Sequence, residues 1–214
     1  MKGLFVSGSG THVGKTFVAQ QLIKLLSKSR TVKVRKPLES DCENIAGKLV
    51  PKDAELLSQA CAQPEALDVV CPFRFEVCAS GEKASTDQGA ILTLNQLADA
   101  CQVSDADDFV IVEGAGGLYS PIASHALNSD LAQALKLPLV LVIKDELGAV
   151  NQALLCLQAA KKQNLTVVML VLNQITPNTL ENAAAIAQYT GVAVVEFNAI
   201  NSQAFAQRVL SLVE

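Results

Sequence analysis

The run Leu4-Phe-Val-Ser-Gly8-Ser-Gly10-Thr-His-Val-Gly14-Lys15-Thr16 decides the fold. Apolar residues of strand type lead straight into a glycine-bearing loop, and a helical pattern starts where the loop ends. In that order of strand, loop and helix, the backbone N–H groups from Gly8 through Ser9, Gly10, Thr11, His12, Val13 and Gly14 converge on one spot. An anion is favoured there by the donors and by the helix N-terminus. Lys15 adds a point charge for the β- and γ-phosphates of a nucleotide, and the Thr16 hydroxyl is a hard oxygen suited to Mg²⁺. Five residues separate Gly8 from Gly14, one more than in the common form of the motif. A glycine turn ahead of an ordinary helix could also produce a chance Lys-Thr, but the strand before and the helix after favour nucleotide binding.

Outward from the loop, apolar positions Val18, Leu22, Leu25 and Leu26 give one buried face to a helix over 17–28. A short strand over 32–38 follows, ended by proline. It puts Lys36 at the C-terminal end of a strand, the edge where parallel α/β sheets bind ligands. On local sequence alone a solvated lysine near a turn is the favoured explanation of Lys36. Asp53 opens a polar-to-apolar run, so its local reading is a helix N-cap. Val69 and Val70 suggest a strand, 71–75 and 79–82 a long loop over the active edge, and 94–101 a helix.

The second strong signal is Asp108-Phe-Val-Ile-Val-Glu113-Gly-Ala-Gly-Gly117. A buried strand here delivers a single carboxylate and then a glycine turn. A glutamate at that place suits a metal or its water shell beside a phosphate loop better than it suits a core. Further strands are expected at 139–143, 167–172 and 192–195, with helices carrying Leu154, Leu155 and Leu157, then over 179–189 and 202–213. Asn173 ends one of these strands, where an amide could read a nucleobase edge or form a turn. Strands alternating with helices, without repeats or linkers, predict an α/β protein: a single domain over 1–214 with one open, mostly parallel twisted sheet, six or seven strands, and helices on both faces.

Composition narrows the function. Half of the 214 residues are hydrophobic, 18% are charged, and the formal net charge is −4. That balance suits a soluble enzyme with a buried sheet and gives no reason to expect nucleic acid or an anionic membrane as partner. The first strand begins within three residues of Met1, leaving no room for a signal peptide, so a cytoplasmic protein is expected. The six cysteines form no C-x-x-C pair and are expected to be reduced packing residues.

Taken together, Gly8-Ser-Gly-Thr-His-Val-Gly-Lys-Thr16, Lys36-Pro37, Asp53, Val112-Glu-Gly-Ala-Gly-Gly117 and Asn173 resemble the dethiobiotin synthetase family of P-loop NTPase-like proteins, with the match running from Met1 to about Pro177. The resemblance implies an ATP-dependent ligase that closes the ureido ring of dethiobiotin from 7,8-diaminopelargonic acid, CO₂ and MgATP, the penultimate step of biotin synthesis. By the same resemblance, Lys15, Lys36 and Thr11 act on the phosphates and the carbamate, and Thr16, Asp53 and Glu113 surround Mg²⁺. Ser40 and Gly117 line the diamine site, Asn173 reads adenine, and Gly148 and Asn151 reach the substrate from the partner subunit of a homodimer. The chain departs from the family pattern at His12, where the family often has an acid, in the 75–82 loop, and in the tail at Glu196-Phe-Asn-Ala-Ile200, which lacks an expected proline.

Two rivals are weaker. A cobyrinic acid a,c-diamide synthase usually carries a glutaminase domain, for which 214 residues leave no room. A partitioning or septum-positioning ATPase switch has an additional lysine early in the loop, where Ser9 and Gly10 stand here, and a basic or amphipathic surface.

Overall fold

The computed structural model describes residues 1–198 and 203–212. β1 (Lys2–Gly8) runs into the glycine loop and α1 (Lys15–Leu26) leaves it. β2 (Val32–Arg35), β3 (Leu38–Glu39) and a hairpin of β4 (Glu43–Ile45) and β5 (Lys48–Val50) lead to α2 (Lys52–Ala60). Next come α3 (Leu67–Val70), β6 (Phe73–Arg74), α4 (Gly81–Asp87), α5 (Leu94–Ala100) and β7 (Phe109–Glu113). β8 (Pro121–Ala123), β9 (Ala126–Leu127) and α6 (Asn128–Leu135) join it to β10 (Leu139–Lys144). The described chain closes with α7 (Ala149–Lys162), β11 (Val167–Asn173), α8 (Asn182–Ala187), β12 (Val194–Phe197) and α9 (Gln203–Ser211).

Six strands form the central sheet in the order β12-β11-β10-β1-β7-β2, and every adjacent pair is parallel. The chain moves from β1 outward to β2, returns to β7, and then crosses to β10. The crevice at that reversal lies above the C-terminal end of β1, where ligands bind in such sheets. Strand alternation explains the layering. Leu4 and Val6 of β1, Ile111 of β7, and Val140 and Val142 of β10 pack in one core with Val18, Leu22 and Ile23 of α1 and Phe205 of α9. Their neighbours Phe5, Val110, Val112, Leu139 and Leu141 face the opposite core with Leu97, Leu131 and Ala160 of α5, α6 and α7. Both faces are therefore dry, as the near-continuous apolar strands require.

Several sequence expectations shift. Val69 and Val70 lie in a helical turn, not a strand: the β-branched pair is overridden because the Val70 carbonyl accepts the Lys36 N–H at 2.9 Å and caps the edge of β2. Of the stretches expected as loop, 71–75 contains β6, which pairs in parallel with β3, and 79–82 contains the start of α4. Gly81 opens that helix against Leu38, where any Cβ would meet the leucine side chain at 2.8 Å. The strand expected over 32–38 stops at Arg35, since Pro37 has no N–H to donate. The late elements also shift: β12 covers 194–197 and α8 covers 182–187. Of the expected helix over 202–213, the described part is α9. Ser202 and Val213, and Ala199 and Ile200 of the atypical tail, lie outside the described residues.

Candidate active site

Register sets the centre of the site. Arg35 of β2 lies level with Val112 of β7, so the following residues, Lys36 and Glu113, emerge side by side at the C-terminal edge. Glu113 is in turn level with Val6 of β1, one strand over. The Lys36 ammonium donates to Glu113 Oε1 at 2.6 Å and to Asp53 Oδ2 at 3.0 Å. The Thr16 hydroxyl donates to the same Glu113 Oε1 at 3.0 Å. Lys36 and Glu113 are buried, with side chains 4% and 0% exposed. Asp53 stands in the first turn of α2, whose N-cap is Pro51, so the capping explanation for Asp53 is replaced by its ion pair with Lys36.

The electrostatics follow from this packing. Burial alone would push Lys36 down, but Glu113, Asp53 and Glu39 together hold it well above its ordinary value. Burial also works to raise Asp53, yet Lys36, Thr16 and Lys15 bring its carboxyl below the usual range. Among the described residues, Lys15 has no carboxylate in contact. Its Nζ donates to the Gly10 carbonyl at 2.7 Å within its own loop, and burial, then the Lys36 charge, pull it down to about 8.

The loop is held from two sides. Gly14 has φ 92 and forms the left-handed N-cap of α1, where a Cβ would collide with the Asn173 amide. That amide donates to the Val13 carbonyl at 2.9 Å, so Asn173 anchors the loop from β11. On the other side, the Leu118 N–H donates to the Gly8 carbonyl at 3.0 Å, and Gly117 packs against Ser9 and Gly10. Thr11 and His12 are exposed at the crown, with His12 at φ 60. Ser40 approaches the edge too, but its hydroxyl donates to the Ala79 carbonyl at 2.8 Å and ties it to the segment after β6. Gly148 is the left-handed N-cap of α7, and Asn151 is exposed in that helix's first turn. Among the described residues, no hydrogen bond or ion pair joins either of them to the Lys36 cluster.

The residues present fit a hydrated Mg²⁺. Glu113 Oε2 is buried with no hydrogen-bond partner among the described residues, an acceptor left open beside the Thr16 hydroxyl. Mg²⁺ takes one or two carboxylates and completes its shell with water and phosphate oxygens. No group of three or more His, Cys, Asp or Glu gathers among the described residues, so phosphate and water oxygens would complete the shell.

Two supporting residues escaped the sequence reading. Asn128, buried at the start of α6, donates to the Ala115 and Gly117 carbonyls at 2.6 and 2.8 Å and accepts the Ala115 N–H at 3.2 Å. It sets the glycine turn after β7. Glu39 accepts the Asp53 and Ala54 N–H groups at 2.9 and 3.0 Å. Their only sequence signal is a polar residue at an element boundary, which also describes many solvated turns.

A phosphate-type loop after the central strand of a parallel six-stranded sheet defines a P-loop nucleotide-binding protein. A ParA family ATPase from Chlorobium tepidum TLS is similar in fold, with a TM-score of 0.57 at 12% identity over 99% of this chain and 90% of that one. The profile of a family described as an AAA domain matches residues 2–197. The ATP-dependent dethiobiotin synthetase BioD of Ruthia magnifica subsp. Calyptogena magnifica is 58% identical over 100% of this chain and 99% of its own length. Its namesake in Vesicomyosocius okutanii subsp. Calyptogena okutanii is 57% identical, covering 98% of this chain and 95% of its own. The chain belongs to the ATP-dependent dethiobiotin synthetase family.

Proposed function

We propose that the protein, acting as a single domain over 1–214, makes dethiobiotin from 7,8-diaminopelargonic acid, CO₂ and ATP. The observation that supports this most is Lys36, buried between Glu113 and Asp53 beside Lys15 and Thr16. One amine of the substrate attacks CO₂ and loses a proton, giving a carbamate. A carbamate oxygen then attacks the γ-phosphorus as the bond to ADP breaks. The second amine attacks the carbonyl carbon of the resulting anhydride, expels phosphate and closes the ureido ring.

Such phosphoryl transfer depends on alignment and on spreading charge. Lys15 leaves the Gly10 carbonyl to hold the β- and γ-phosphates, and the N–H groups of 8–16 cradle them. Lys36 turns from its carboxylates to the carbamate and the transferring phosphoryl oxygens. Thr11 adds a hydroxyl at the crown and Ser40 with Gly117 borders the diamine. Thr16, Asp53 and Glu113 would hold Mg²⁺, which would neutralise phosphate charge when bound. Asn173 anchors the loop, and reading adenine would exchange that bond for one to the base. Gly148 and Asn151 reach the substrate carboxylate of a partner subunit. In support of a homodimer, Leu147 and Leu155, on either side of Asn151, are 88% and 62% exposed. No helix among the described residues is long and apolar enough to cross a membrane, and neither membrane nor nucleic acid is proposed as a partner.

The test is phosphate release with MgATP and bicarbonate, with and without the diamine, alongside mass spectrometry of the product. Diamine-dependent phosphate matched mole for mole by dethiobiotin is expected, and Lys36→Ala should remove both. Hydrolysis indifferent to the diamine would reject the assignment.

A further inference from the structure

Glu39 is a buried carboxylate, 7% exposed, three residues beyond Lys36, and it makes no ion pair among the described residues. Burial raises its carboxyl above the usual range, so the fold holds it there at a cost. Both of its oxygens point at the start of α2: Oε1 accepts the Asp53 N–H at 2.9 Å and Oε2 the Ala54 N–H at 3.0 Å. Pro51, the N-cap, gives that helix no side-chain cap. A remote carboxylate therefore does the capping, satisfying two donors that otherwise lack partners and meeting the positive end of the helix.

The anchor is firm and the linkage long. The Glu39 carbonyl accepts the Phe75 N–H at 2.9 Å, within the β3–β6 pairing. Between Glu39 and Asp53 the chain makes an excursion of thirteen residues, 40 to 52, through the β4–β5 hairpin, whose first strand and turn are exposed. Without the two Glu39 bonds, the place of Asp53 would depend on that excursion and on the packing of α2. With them, Lys36 and Asp53 are both tied to the same short β2–β3 segment.

We propose that Glu39 is a positioning residue of the site: its carboxylate locks the first turn of α2 and so fixes the Asp53 carboxylate in place for the metal–nucleotide complex. This rests on the reading of Asp53 as a magnesium-side residue.

The test compares wild type, Glu39→Ala, Glu39→Gln, Asp53→Asn and the two double variants. ADP affinity is measured by calorimetry with Mg²⁺ and with EDTA, and thermal unfolding is followed in parallel. Groups that orient a metal ligand typically change metal affinity by about 10–100-fold. Glu39→Ala should weaken MgADP about tenfold and metal-free ADP by less than about twofold. Glu39→Gln, which keeps one acceptor oxygen, should fall between and serves if the alanine variant does not fold. In the Asp53→Asn background either Glu39 change should add less than about twofold, because both act through one carboxylate. An undiminished magnesium effect in both Glu39 variants, or an equal further loss in the Asp53→Asn background, would overturn the proposal. A magnesium effect untouched by Asp53→Asn alone would reject the underlying assignment of Asp53 instead, and the positioning role with it.

Discussion

At the scale of single residues, the site stores its positive charge on its own oxygens. Lys36 lies on two carboxylates and Lys15 on a loop carbonyl. The two lysines differ in consequence. Lys36 has enough acid around it to stay charged, whereas Lys15 is pulled from 10.5 to about 8 by burial and by Lys36. Between those two values the unfolded chain binds a proton that the folded chain lacks. A charged Lys15 therefore costs stability below about pH 8, and that cost fades as pH rises toward 10.5. On the proposed role of Lys15 at the β- and γ-phosphates, a bound triphosphate would restore a favourable environment for the charge. Binding of ATP near pH 8.5 should thus take up about half a proton or more. Calorimetry in two buffers of different ionisation enthalpy measures this, and Lys15→Ala should abolish it. Uptake of zero across the alkaline range would show that Lys15 is charged before the nucleotide arrives.

At the scale of elements, what the sequence revealed depended on how local the cause was. β1, the loop and α1 are specified by contiguous residues, as are β7 with Glu113 and the apolar runs of β10 and β11. The β4–β5 hairpin was missed because its turn is disguised. Ala46 and Gly47 have φ of 52 and 83, the pair of positive values that a two-residue turn of this twist requires. Asn-Gly would have announced it, while Ala-Gly does not. An alanine in that conformation costs roughly 1–2 kcal/mol, part of which asparagine recovers. Ala46→Asn should therefore raise stability by about 0.5–1 kcal/mol, read as a higher urea midpoint at unchanged slope, with turnover unaffected. An unchanged midpoint would mean that the hairpin opens separately from the sheet. Other parts of the site were illegible for a different reason. The roles of Lys36, Asp53, Glu39 and Asn128 come from contacts between distant segments: local sequence left Lys36 and Asp53 ambiguous, and gave no role to Glu39 or Asn128. The family resemblance implies roles for the first two, while the bonds of Glu39 to α2 and of Asn128 to the glycine turn leave no mark in contiguous sequence.

At the scale of the whole molecule, the question is whether one chain holds a complete site. The glycine loop and the Lys36 cluster are assembled within the chain, but Gly148 and Asn151 sit apart, on an exposed helix start flanked by Leu147 and Leu155. A two-fold interface would place the same patch of each protomer against its partner, so each dimer would hold two composite sites. The consequence is arithmetic. In that arrangement Lys36→Ala would remove one half of a site, and Asn151→Asp would set a negative charge against the substrate carboxylate in the other half. Each variant alone should be inactive as a homodimer. After subunit exchange about half of the dimers are mixed, and in each mixed dimer one of the two sites unites an intact Lys36 with an intact Asn151, so activity should return to about one quarter of wild type. Exchange is verified independently by native mass spectrometry of differently tagged chains. Mixed dimers without recovered activity would place Asn151 outside the partner's site, and a protein that stays monomeric at assay concentration would require each chain to work alone.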